Sequence, residues 1–393
     1  MPDIEHLYKY IDDDEVVQIA CDLVAIPSIT TKEGRGMLDY MERWFDDLGI
    51  PYREYPTGDG RASFFADFGA VSGPGRYVFN GHMDTKPVDG MTVDPFGGVI
   101  KDGKMYGRGA CDMKSGIAAV LCAYKALVRG GFTPAAGITF FSDIEEEFGG
   151  PNAMMSIINK GLLDEFEGLI SCEPTNLDVQ LGDKGGFVTC FETRGRTAHS
   201  GLAHLGVNAI ENMMLFITEY LELPYFKKRS QYFGEPTINF ERISGGNYLS
   251  AVPDRCFACV DSRLIPETPV SEVHKEVCDL MDRLNSERGI NISEIDPPKS
   301  WRPRRGMNDS HHLKPDHEHV RRVAASVTEA TGKEATISGC PGATIAGIMI
   351  ARGIPSVICG PGSIIQAHTE DEWIDTNQIP TAAYIYTSLM GGM

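Results

Sequence analysis

Short apolar runs alternate along the chain with segments whose apolar residues recur at helical spacing. The runs have the length and composition of strands, and they cover residues 62–68, 77–80, 137–142, 169–172 and 356–359. The helical segments cover residues 12–25, 33–48, 113–129, 319–331, 345–352 and 380–390. Strands that alternate with helices are typical of a mainly parallel sheet with helices on both faces. We therefore predict an α/β fold for these parts of the chain.

The middle of the chain follows a different order. Its predicted strands and helices are, in chain order, residues 186–193, 208–221, 237–243, 256–264 and 270–288. This β-α-β-β-α order predicts a small antiparallel sheet with helices on one face. We therefore expect one α/β domain, residues 1–183 and 299–393, interrupted by an inserted α+β domain of residues 184–298. The predicted linkers are residues 182–186 and 297–305.

The charge of the chain excludes some classes of partner. Of its 393 residues, 36 are Lys or Arg and 55 are Asp or Glu, which gives a formal net charge of −19. Negative charge repels phosphate backbones and anionic lipids, so we expect no nucleic-acid partner and no membrane association. The most apolar stretch, residues 344–360, is interrupted by Arg352 and Pro355 and is shorter than the ~20 apolar residues of a membrane-spanning helix.

The cysteines favour a reducing compartment. The ten cysteines are spread without the spacing of a disulfide framework, and the acidic N-terminal segment has no signal-peptide hydrophobic run. We therefore expect a reduced, cytoplasmic protein. Cys256 and Cys259 face opposite sides of an alternating strand, so we expect them to pack in the fold and not to bind zinc.

Histidine and acidic residues cluster next to the predicted strands. The clusters are Gly81-His82-Met83-Asp84, Gly107-Arg108-Gly109-Ala110-Cys111-Asp112, Glu145-Glu146-Glu147, Cys172-Glu173 and Ala367-His368-Thr369. Ligands of open α/β sheets bind beyond the carboxyl ends of the strands, so these clusters are predicted to converge. By itself, a run of three Glu residues is more often the solvated start of a helix. Because the other clusters are predicted to lie beside it, we interpret the triplet as part of a catalytic site.

The converging residue types predict a metal centre. Two His and several carboxylates are the ligand set that suits two zinc ions, or manganese or cobalt. Carboxylates packed together repel one another unless a cation compensates them. Asp84 is placed to hydrogen-bond the far nitrogen of His82, and one Glu of the triplet is placed to take a proton from water.

Five segments carry a family resemblance. They read, in order, GHMDTKPVDG, GRGACDMKSG, EEEFGG, SCEPT and AHTEDEW. With them the chain closely resembles, over nearly its whole length, the acetylornithine deacetylase and succinyl-diaminopimelate desuccinylase family. Members of that family are di-zinc amidohydrolases related to aminoacylase and glutamate carboxypeptidase. The resemblance implies a zinc-peptidase-like catalytic domain with an inserted ferredoxin-like lid and dimerisation domain.

The resemblance also implies roles for the clustered residues. The implied metal ligands are His82, Asp112, Glu147, Glu173 and His368. His82 and His368 then bind different ions, and Asp112 bridges the two. Asp84 supports His82. Glu146 is the implied general base, because the family pattern Glu-Glu-x-Gly begins at Glu146 in this chain.

The inserted segment carries two further motifs of the family. His199, in Thr197-Ala198-His199-Ser200, matches the residue that stabilises the oxyanion across the interface of a homodimer. Arg263, in Asp261-Ser262-Arg263, matches the residue that binds a substrate carboxylate. A plain turn at His199 and a surface ion pair at Arg263 are the alternatives. Two positions depart from the family near the substrate, Ser250 in place of Asn and Ile345 in place of Asp, so we expect an altered substrate pocket.

The resemblance favours hydrolysis of the amide bond of an N-acyl amino acid, with two divalent ions as cofactors. Glu at position 173 resembles the deacylases and carboxypeptidases, whereas the aminopeptidases tend to carry Asp there. A dipeptidase or carboxypeptidase is the alternative within the family. A non-catalytic metal- and amino-acid-binding protein and a hydrolytic deaminase remain open. The sequence has neither a Gly-x-Ser-x-Gly motif nor a Walker motif, so serine hydrolases and nucleotidases lose their main support.

Overall fold

The computed structural model describes residues 4–70, 75–149, 153–296 and 306–393. By its internal contacts the chain forms two units. The first contains the described residues of Met1–Gly182, His312–Ser338 and Thr344–Met393, and the second contains those of Asp183–His311 and Gly339–Ala343. The predicted linker 297–305, with the predicted domain boundary at residue 298, lies outside the described residues, and so does Gly150 of the segment EEEFGG.

The second unit takes in more of the chain than the inserted segment that we expect from sequence. Residues 306–308 form a strand against residues 186–188, and the Gly339 N–H donates to the Tyr232 carbonyl. These backbone bonds join residues 306–311 and 339–343 to the second unit. They link positions far apart in the sequence, so no local pattern reveals them.

Ten helices occur in the described residues. They are α1 Glu5–Tyr8, α2 Asp13–Val24, α3 Gly36–Leu48, α4 Ser115–Arg129, α5 Met154–Asn159, α6 Ala209–Tyr220, α7 Val270–Arg288, α8 Glu318–Thr331, α9 Ile345–Ala351 and α10 Gln378–Gly391. Asp12 caps α2 by accepting hydrogen bonds from the backbone N–H groups of Asp14 and Glu15. The predicted start of α4 at residue 113 is two residues early, because residues 110–114 form an irregular turn.

The strands of the described residues number seventeen. In the first part of the chain they are β1 Tyr52–Pro56, β2 Ala62–Phe68, β3 Tyr77–Asn80, β4 Val99–Lys101, β5 Lys104–Tyr106, β6 Ile138–Ser142, β7 Gly168–Ser171 and β8 Val179–Asp183. The others are β9 Gly185–Arg194, β10 Thr237–Gly245, β11 Arg255–Leu264, β12 Asn291–Ile295, β13 Gly306–Asn308, β14 His311–His312, β15 Ile337–Cys340, β16 Ser356–Ile358 and β17 Trp373–Asp375.

The large sheet of the first unit is mixed, with a parallel centre. Its strands lie in the order β1-β2-β6-β3-β7-β16-β8, with β14 and β15 next to β8. The pairs β6–β3, β3–β7 and β7–β16 are parallel, whereas β1–β2 and β2–β6 are antiparallel. The predicted α/β class with a mainly parallel sheet is confirmed. The antiparallel edge arises where β1 and β2 are joined by a short turn, which cannot make a parallel crossover.

Both faces of this sheet are covered, as successive residues of β6 show. Phe140 lies against Phe45 of α3, with ring centroids 6.2 Å apart. Phe141 points to the other face, where it stacks on Phe65 at 4.6 Å. The apolar cluster around Phe65 and Phe141 also contains Ile345, which is only 2 % exposed. Ile345, which stands where the family that the chain resembles has Asp, therefore adds a core side chain at the start of α9.

The second unit is an antiparallel sheet with two helices on one face. The strand order is β10-β11-β9-β12, with β13 also paired to β9. Helices α6 and α7 cover a core that includes Phe187, Phe191 and Cys256. Cys259 faces away from Cys256 and forms a disulfide with Cys190, its direct neighbour across β9 and β11. The expectation that all cysteines are reduced is therefore wrong at this pair, because the strand register brings two distant cysteines together.

No helix in the part of the chain that the structure describes combines the length and the apolar character needed to cross a bilayer.

A buried histidine connects α8 to the centre of the large sheet. The His319 Nε2 donates to the Leu169 carbonyl of β7 at 3.0 Å, and the ring stacks on Tyr77 at 5.7 Å. Its Nδ1 is buried without a hydrogen-bond partner. Burial lowers the pKa of His319 from 6.5 to about 4, so the folded protein holds this ring neutral.

We expect His319 to make folding sensitive to acid. An unfolded chain binds a proton at this ring below pH 6.5, whereas the folded chain resists until about pH 4. The stabilisation is therefore complete above pH 6.5 and is lost as the pH falls towards 4, by about 3 kcal/mol in all. Urea unfolding of the wild type and of His319→Gln at pH 7.5 and pH 4.5 measures this difference. The wild type should lose more stability than the variant, and equal losses would contradict the prediction. Exposed His204→Gln is the control and should follow the wild type.

Candidate metal centre

The parallel strands β6, β3 and β7 bring three chain segments to one edge of the sheet. These strands are direct neighbours, and each is followed within a few residues by an acidic or histidine motif. His82 follows β3, the Glu145–Glu147 turn follows β6, and Glu173 follows β7. The predicted convergence of these motifs is therefore present in the fold.

His82 lies at the centre of this edge. Its Nε2 is 3.0 Å from Asp112 Oδ1 and 3.6 Å from Glu173 Oε1. Its Nδ1 is 2.9 Å from the backbone carbonyl of Asp84, which orients the ring and leaves Nε2 directed at the carboxylates. The ring is almost completely buried.

Asp112 is shared between two imidazoles. While its Oδ1 faces His82, its Oδ2 is 3.3 Å from His368 Nε2. The same His368 nitrogen is 3.0 Å from Glu147 Oε2. Half of the His368 side chain is exposed, so the site opens to solvent on this side.

Asp84 supports the site in a different way from the one that sequence suggests. Its carboxylate oxygens accept hydrogen bonds from the backbone N–H groups of Glu146 and Glu147 at 3.1 and 3.2 Å. Its closest contact with His82 is made by the backbone carbonyl, since the carboxylate oxygen is 3.6 Å from the ring. The side chain of Asp84 therefore holds the acidic turn while its main chain orients His82.

The charges of the cluster depend on one another. Burial alone would lower the pKa of His82, but the carboxylates of Glu173, Asp112 and Asp84 raise that pKa well above its usual value. Hydrogen bonds to Asp112 and Glu147 raise the pKa of His368 to about 9. Without metal, protonated imidazoles therefore compensate the carboxylates.

For Glu146 and Glu173 this compensation is incomplete, although the charge of His82 lowers the pKa of both. Desolvation by the surrounding protein, followed by repulsion from the neighbouring carboxylates, raises the pKa of Glu146 to about 8. Desolvation likewise raises the pKa of Glu173 well above its usual value. A site that forces carboxyl groups to keep their protons has an excess of negative charge, which is the charge a cation would offset.

The donor atoms are close enough to surround ions. One group consists of His82, Asp112 and Glu147, and another of His82, Glu146 and Glu173; within each, one donor atom per residue lies within 4.8 Å of the others. Ligand atoms about 2.0–2.2 Å from one zinc ion lie at comparable separations from each other. The nitrogen and oxygen donors fit zinc, cobalt or manganese.

A buried ion-pair network, which we did not predict, holds the acidic turn from the other side. Arg61 Nη2 is 2.7 Å from Glu145 Oε1, and its Nη1 is 2.9 Å from Glu33 Oε2. Glu145 has a positive φ of 62°, so this pairing fixes the backbone immediately before Glu146. Arg61 lies in a Gly-rich turn far from the motifs, and nothing in the sequence indicated this contact.

Glu372 anchors the loop that carries Asp112. Its Oε1 accepts hydrogen bonds from the backbone N–H groups of Cys111 and Asp112 at 2.8 and 2.9 Å. Its Oε2 accepts from the Gly109 N–H at 3.2 Å and from Arg108 Nη1 at 2.8 Å. The position is inside the segment AHTEDEW, where a buried acidic residue could have been suspected, but its partners are 260 residues away in the chain.

In the second unit, the structure brings His199 and Ser250 into neighbouring backbone segments. His199 forms an isolated bridge with Ala251, and the Ser200 N–H donates to the Ser250 carbonyl at 2.9 Å. The His199 Nδ1 accepts a hydrogen bond from the Gly201 N–H, so its Nε2 carries the hydrogen and is directed outward as a donor. The ring is exposed.

Arg263 lies far from His199 within the second unit. The Arg255 end of β11 is opposite Arg194, where the chain leaves β9 towards His199. Arg263 is eight residues further along β11, a distance of about 27 Å in an extended strand. Its Nη2 is 2.8 Å from Asp261 Oδ2. One small substrate therefore cannot contact both side chains of a single copy.

Residues 78–391 match the family model described as Peptidase family M20/M25/M40. A probable succinyl-diaminopimelate desuccinylase of Staphylococcus aureus is 26% identical over 392 residues, which cover 92% of this chain and 93% of the relative. An acetylornithine deacetylase of Yersinia pestis is 28% identical over 373 residues, which cover 90% and 91%.

Two solved structures show the same fold. A tripeptidase from Staphylococcus aureus has a TM-score of 0.79 and 21% identity, and the match covers 97% of this chain and 98% of that one. Human carnosine dipeptidase 1 has a TM-score of 0.74 and 17% identity, with 99% of both chains covered. At these identities the likeness concerns the fold.

Removing the Glu372 carboxylate should destabilise the first unit strongly. The variant Glu372→Ala leaves Arg108 buried without its partner and three backbone N–H groups without an acceptor. Breaking a buried ion pair on one side typically costs 3–5 kcal/mol, so we expect a loss of about 4 kcal/mol in the free energy of unfolding. Urea titration measures it. Exposed Glu370→Ala in the same loop should stay within about 0.5 kcal/mol of the wild type. A similar small change for Glu372→Ala would contradict this structural role.

Proposed function

The chain belongs to peptidase family M20/M25/M40 and is a metal-dependent hydrolase of amide bonds, and from this premise we propose that it hydrolyses the amide bond of an N-acyl amino acid with two divalent ions. The arrangement of Asp112 between His82 and His368 supports the proposal most directly. Two relatives, one named a probable desuccinylase and the other a deacetylase, support N-acyl amino acids as the substrate class.

The described side chains divide naturally between two ions. We propose that His82 and Glu173 would hold one ion and that His368 and Glu147 would hold the other, with Asp112 contributing to both. This division follows the observed contacts, since each imidazole already faces one Asp112 oxygen and one Glu. When bound, zinc, or cobalt or manganese in its place, would supply Lewis acidity towards an amide carbonyl and a water molecule.

Glu146 is the proposed general base. In this assignment it is not needed as a ligand, yet it lies beside His82 and Glu173 and its backbone is fixed by Asp84. Its carboxylate takes a proton from the attacking water as the new C–O bond forms. It then delivers that proton to the leaving nitrogen as the C–N bond breaks.

His199 and Arg263 are proposed to contact the substrate from two different copies of the chain. The outward Nε2–H of His199 is suited to donate to the oxyanion, and Arg263 to hold a carboxylate. Because Arg263 lies about 27 Å along β11 from the strand end nearest His199, a site that uses both side chains needs a second copy. A homodimer is therefore part of the proposal.

The second unit has a surface suited to such a dimer. We define the edge face as Met214, Ile243, Tyr248 and Leu249, all exposed, with Leu249 98% exposed. Ile243 lies on the edge strand β10 opposite Ala258, a core residue, so it is on the same side of the sheet as α6. Among the described residues β10 is the edge strand of its sheet, and such an edge beside exposed apolar side chains suits pairing with an identical strand and helix.

We also propose that the protein works in a reducing, cytoplasmic compartment. Eight of the ten cysteines are free, and all eight are buried or half-buried. A chain exported to an oxidising compartment would usually pair more of them.

An assay with a mixed substrate panel tests the proposed reaction. The panel contains N-acetyl and N-succinyl amino acids, N-acyl glutamates and simple dipeptides, offered to protein loaded with zinc, cobalt or manganese. We expect amine release confined to the N-acyl compounds and abolished by a chelator. Release from dipeptides alone would favour a peptidase, and silence with metal still bound would favour a binding protein.

Glu146→Gln separates the base from the metal ligands in the same assay. Turnover should fall by about 10²- to 10⁴-fold, because the amide cannot take the proton, while the metal content measured by mass spectrometry stays at the wild-type level. Exposed Glu165→Gln should leave both unchanged. Loss of the metals from Glu146→Gln would show that base and ligand within the Glu triplet are wrongly assigned.

Light scattering and kinetics test the dimer together. We expect twice the chain mass for the wild type, and a monomer with strongly reduced kcat for Ile243→Glu combined with Leu249→Glu, because His199 then acts on no partner. Leu162→Glu, an exposed position of the first unit, is the control and should remain an active dimer. A fully active wild-type monomer would contradict both the dimer and the role of His199.

A further inference from the structure

Lys86 is a cation at the rim of the metal centre. It follows Asp84 by two residues in the loop after β3, and its Nζ is 2.8 Å from Glu147 Oε2. The same Nζ donates to the backbone carbonyl of Glu147 at 2.9 Å. Its side chain is 30% exposed, so the ammonium group is anchored to the site and still open to solvent.

The other cations around the site, within the described residues, have no such freedom. Arg61 is paired with Glu33 and Glu145, and Arg108 with Glu372. Lys114 is fully buried and donates to two backbone carbonyls. Lys86 is the cation of this group that a ligand entering from solvent can reach.

The bonds of Lys86 predict what happens when Glu147 serves as a ligand. An ammonium group has three donors, and the backbone carbonyl of Glu147 accepts a hydrogen bond from one of them. If a metal ion shared the charge of the Glu147 carboxylate, that carboxylate would hold Lys86 less strongly. The partly exposed ammonium group then has donors available for an anionic group that enters from solvent.

The overall charge makes this local cation important for an anionic substrate. With a net charge of −19, the protein repels anions at long range. The carboxylates of the site itself add to that repulsion. Arg263 is already assigned to one substrate carboxylate, and a carboxylate bound beside the acidic metal centre requires a positive group of its own in direct contact with it.

We propose that Lys86 binds a carboxylate of the substrate and makes the enzyme selective for amides that carry one near the scissile bond. The inference rests on the proposed function and specifies its substrate class. The carboxylate can belong to the acyl group or to the amino acid, and Lys86 recognises the shared chemistry in both cases. The ammonium group of a lysine is a compact point charge with rotatable donors, so it tolerates a carboxylate on the acyl group or on the amino acid.

Kinetics with matched substrates test the proposal. One arm compares N-succinyl with N-acetyl derivatives of the same amino acid, and the other compares an N-acetyl amino acid with its C-terminal amide. The variants are Lys86→Met, which keeps the length and removes the charge, and Lys86→Arg, which keeps the charge. Lys101→Met, an exposed lysine of β4, is the control and should behave as the wild type.

We expect Lys86→Met to raise KM about 10- to 100-fold for the substrate that carries the recognised carboxylate, with little change for its neutral counterpart. Lys86→Arg should restore most of the loss. In Lys86→Met, the KM difference between the charged and the neutral substrate should disappear in one of the two arms. That arm identifies whether the acyl group or the amino acid supplies the carboxylate. Equal effects of Lys86→Met on charged and neutral substrates in both arms would overturn the proposal.

A binding measurement keeps the inference separate from the proposed reaction. Titration calorimetry of the zinc-loaded protein with succinate should give a dissociation constant about 10-fold or more weaker for Lys86→Met, at unchanged zinc content. Unchanged succinate affinity, or loss of zinc from Lys86→Met, would show that Lys86 only supports Glu147. If the wild type hydrolyses nothing in the panel, the proposed function fails, whereas a Lys86-dependent succinate affinity would still support the binding role.

Discussion

Asp112 lies between two imidazoles, and the organisation of the site depends on that shared carboxylate. One oxygen faces His82 and the other faces His368, so a single side chain couples two halves that come from distant parts of the sequence. Burial and repulsion would make this concentration of acidic groups unstable without positive charge. Protons on the imidazoles can supply it, and so can metal ions, which is why the charge of the cluster and its chemistry have one physical origin.

The acidic groups are held mainly by backbone N–H donors. Asp84 accepts from Glu146 and Glu147, and Glu372 accepts from the loop that ends at Asp112. Such bonds fix the carboxylates and the turns without neutralising the central cluster. Arg61 and Arg108 neutralise acidic residues one layer further out. The fold therefore supports the site rigidly and leaves its negative charge available for cations, with Lys86 at the open rim for an anion.

Most of the helices and about half of the strands could be predicted from local patterns. The bounds of β2, β3 and α7 agree with the apolar periodicity, because each buries one regular face or a continuous apolar run. Among the missed strands, β4 and β5 form a short hairpin whose first strand is exposed, whereas β13 owes its pairing to the distant strand β9. The disulfide between Cys190 and Cys259 was missed for the same reason, since it follows from the register of β9 against β11.

The sequence alone determined the residue types of the site and their placement after strands, because each motif is local and the carboxyl ends of parallel strands must share one edge. Tertiary structure alone decided which groups touch. In the fold the Asp84 carboxylate accepts a hydrogen bond from the Glu146 N–H, and Arg61 forms an ion pair with Glu145. Glu372 accepts a hydrogen bond from the Asp112 N–H, and Ile345 is buried in the core. These contacts join residues up to 260 positions apart, and only the packing of the sheet and its loops brings such residues within hydrogen-bonding distance.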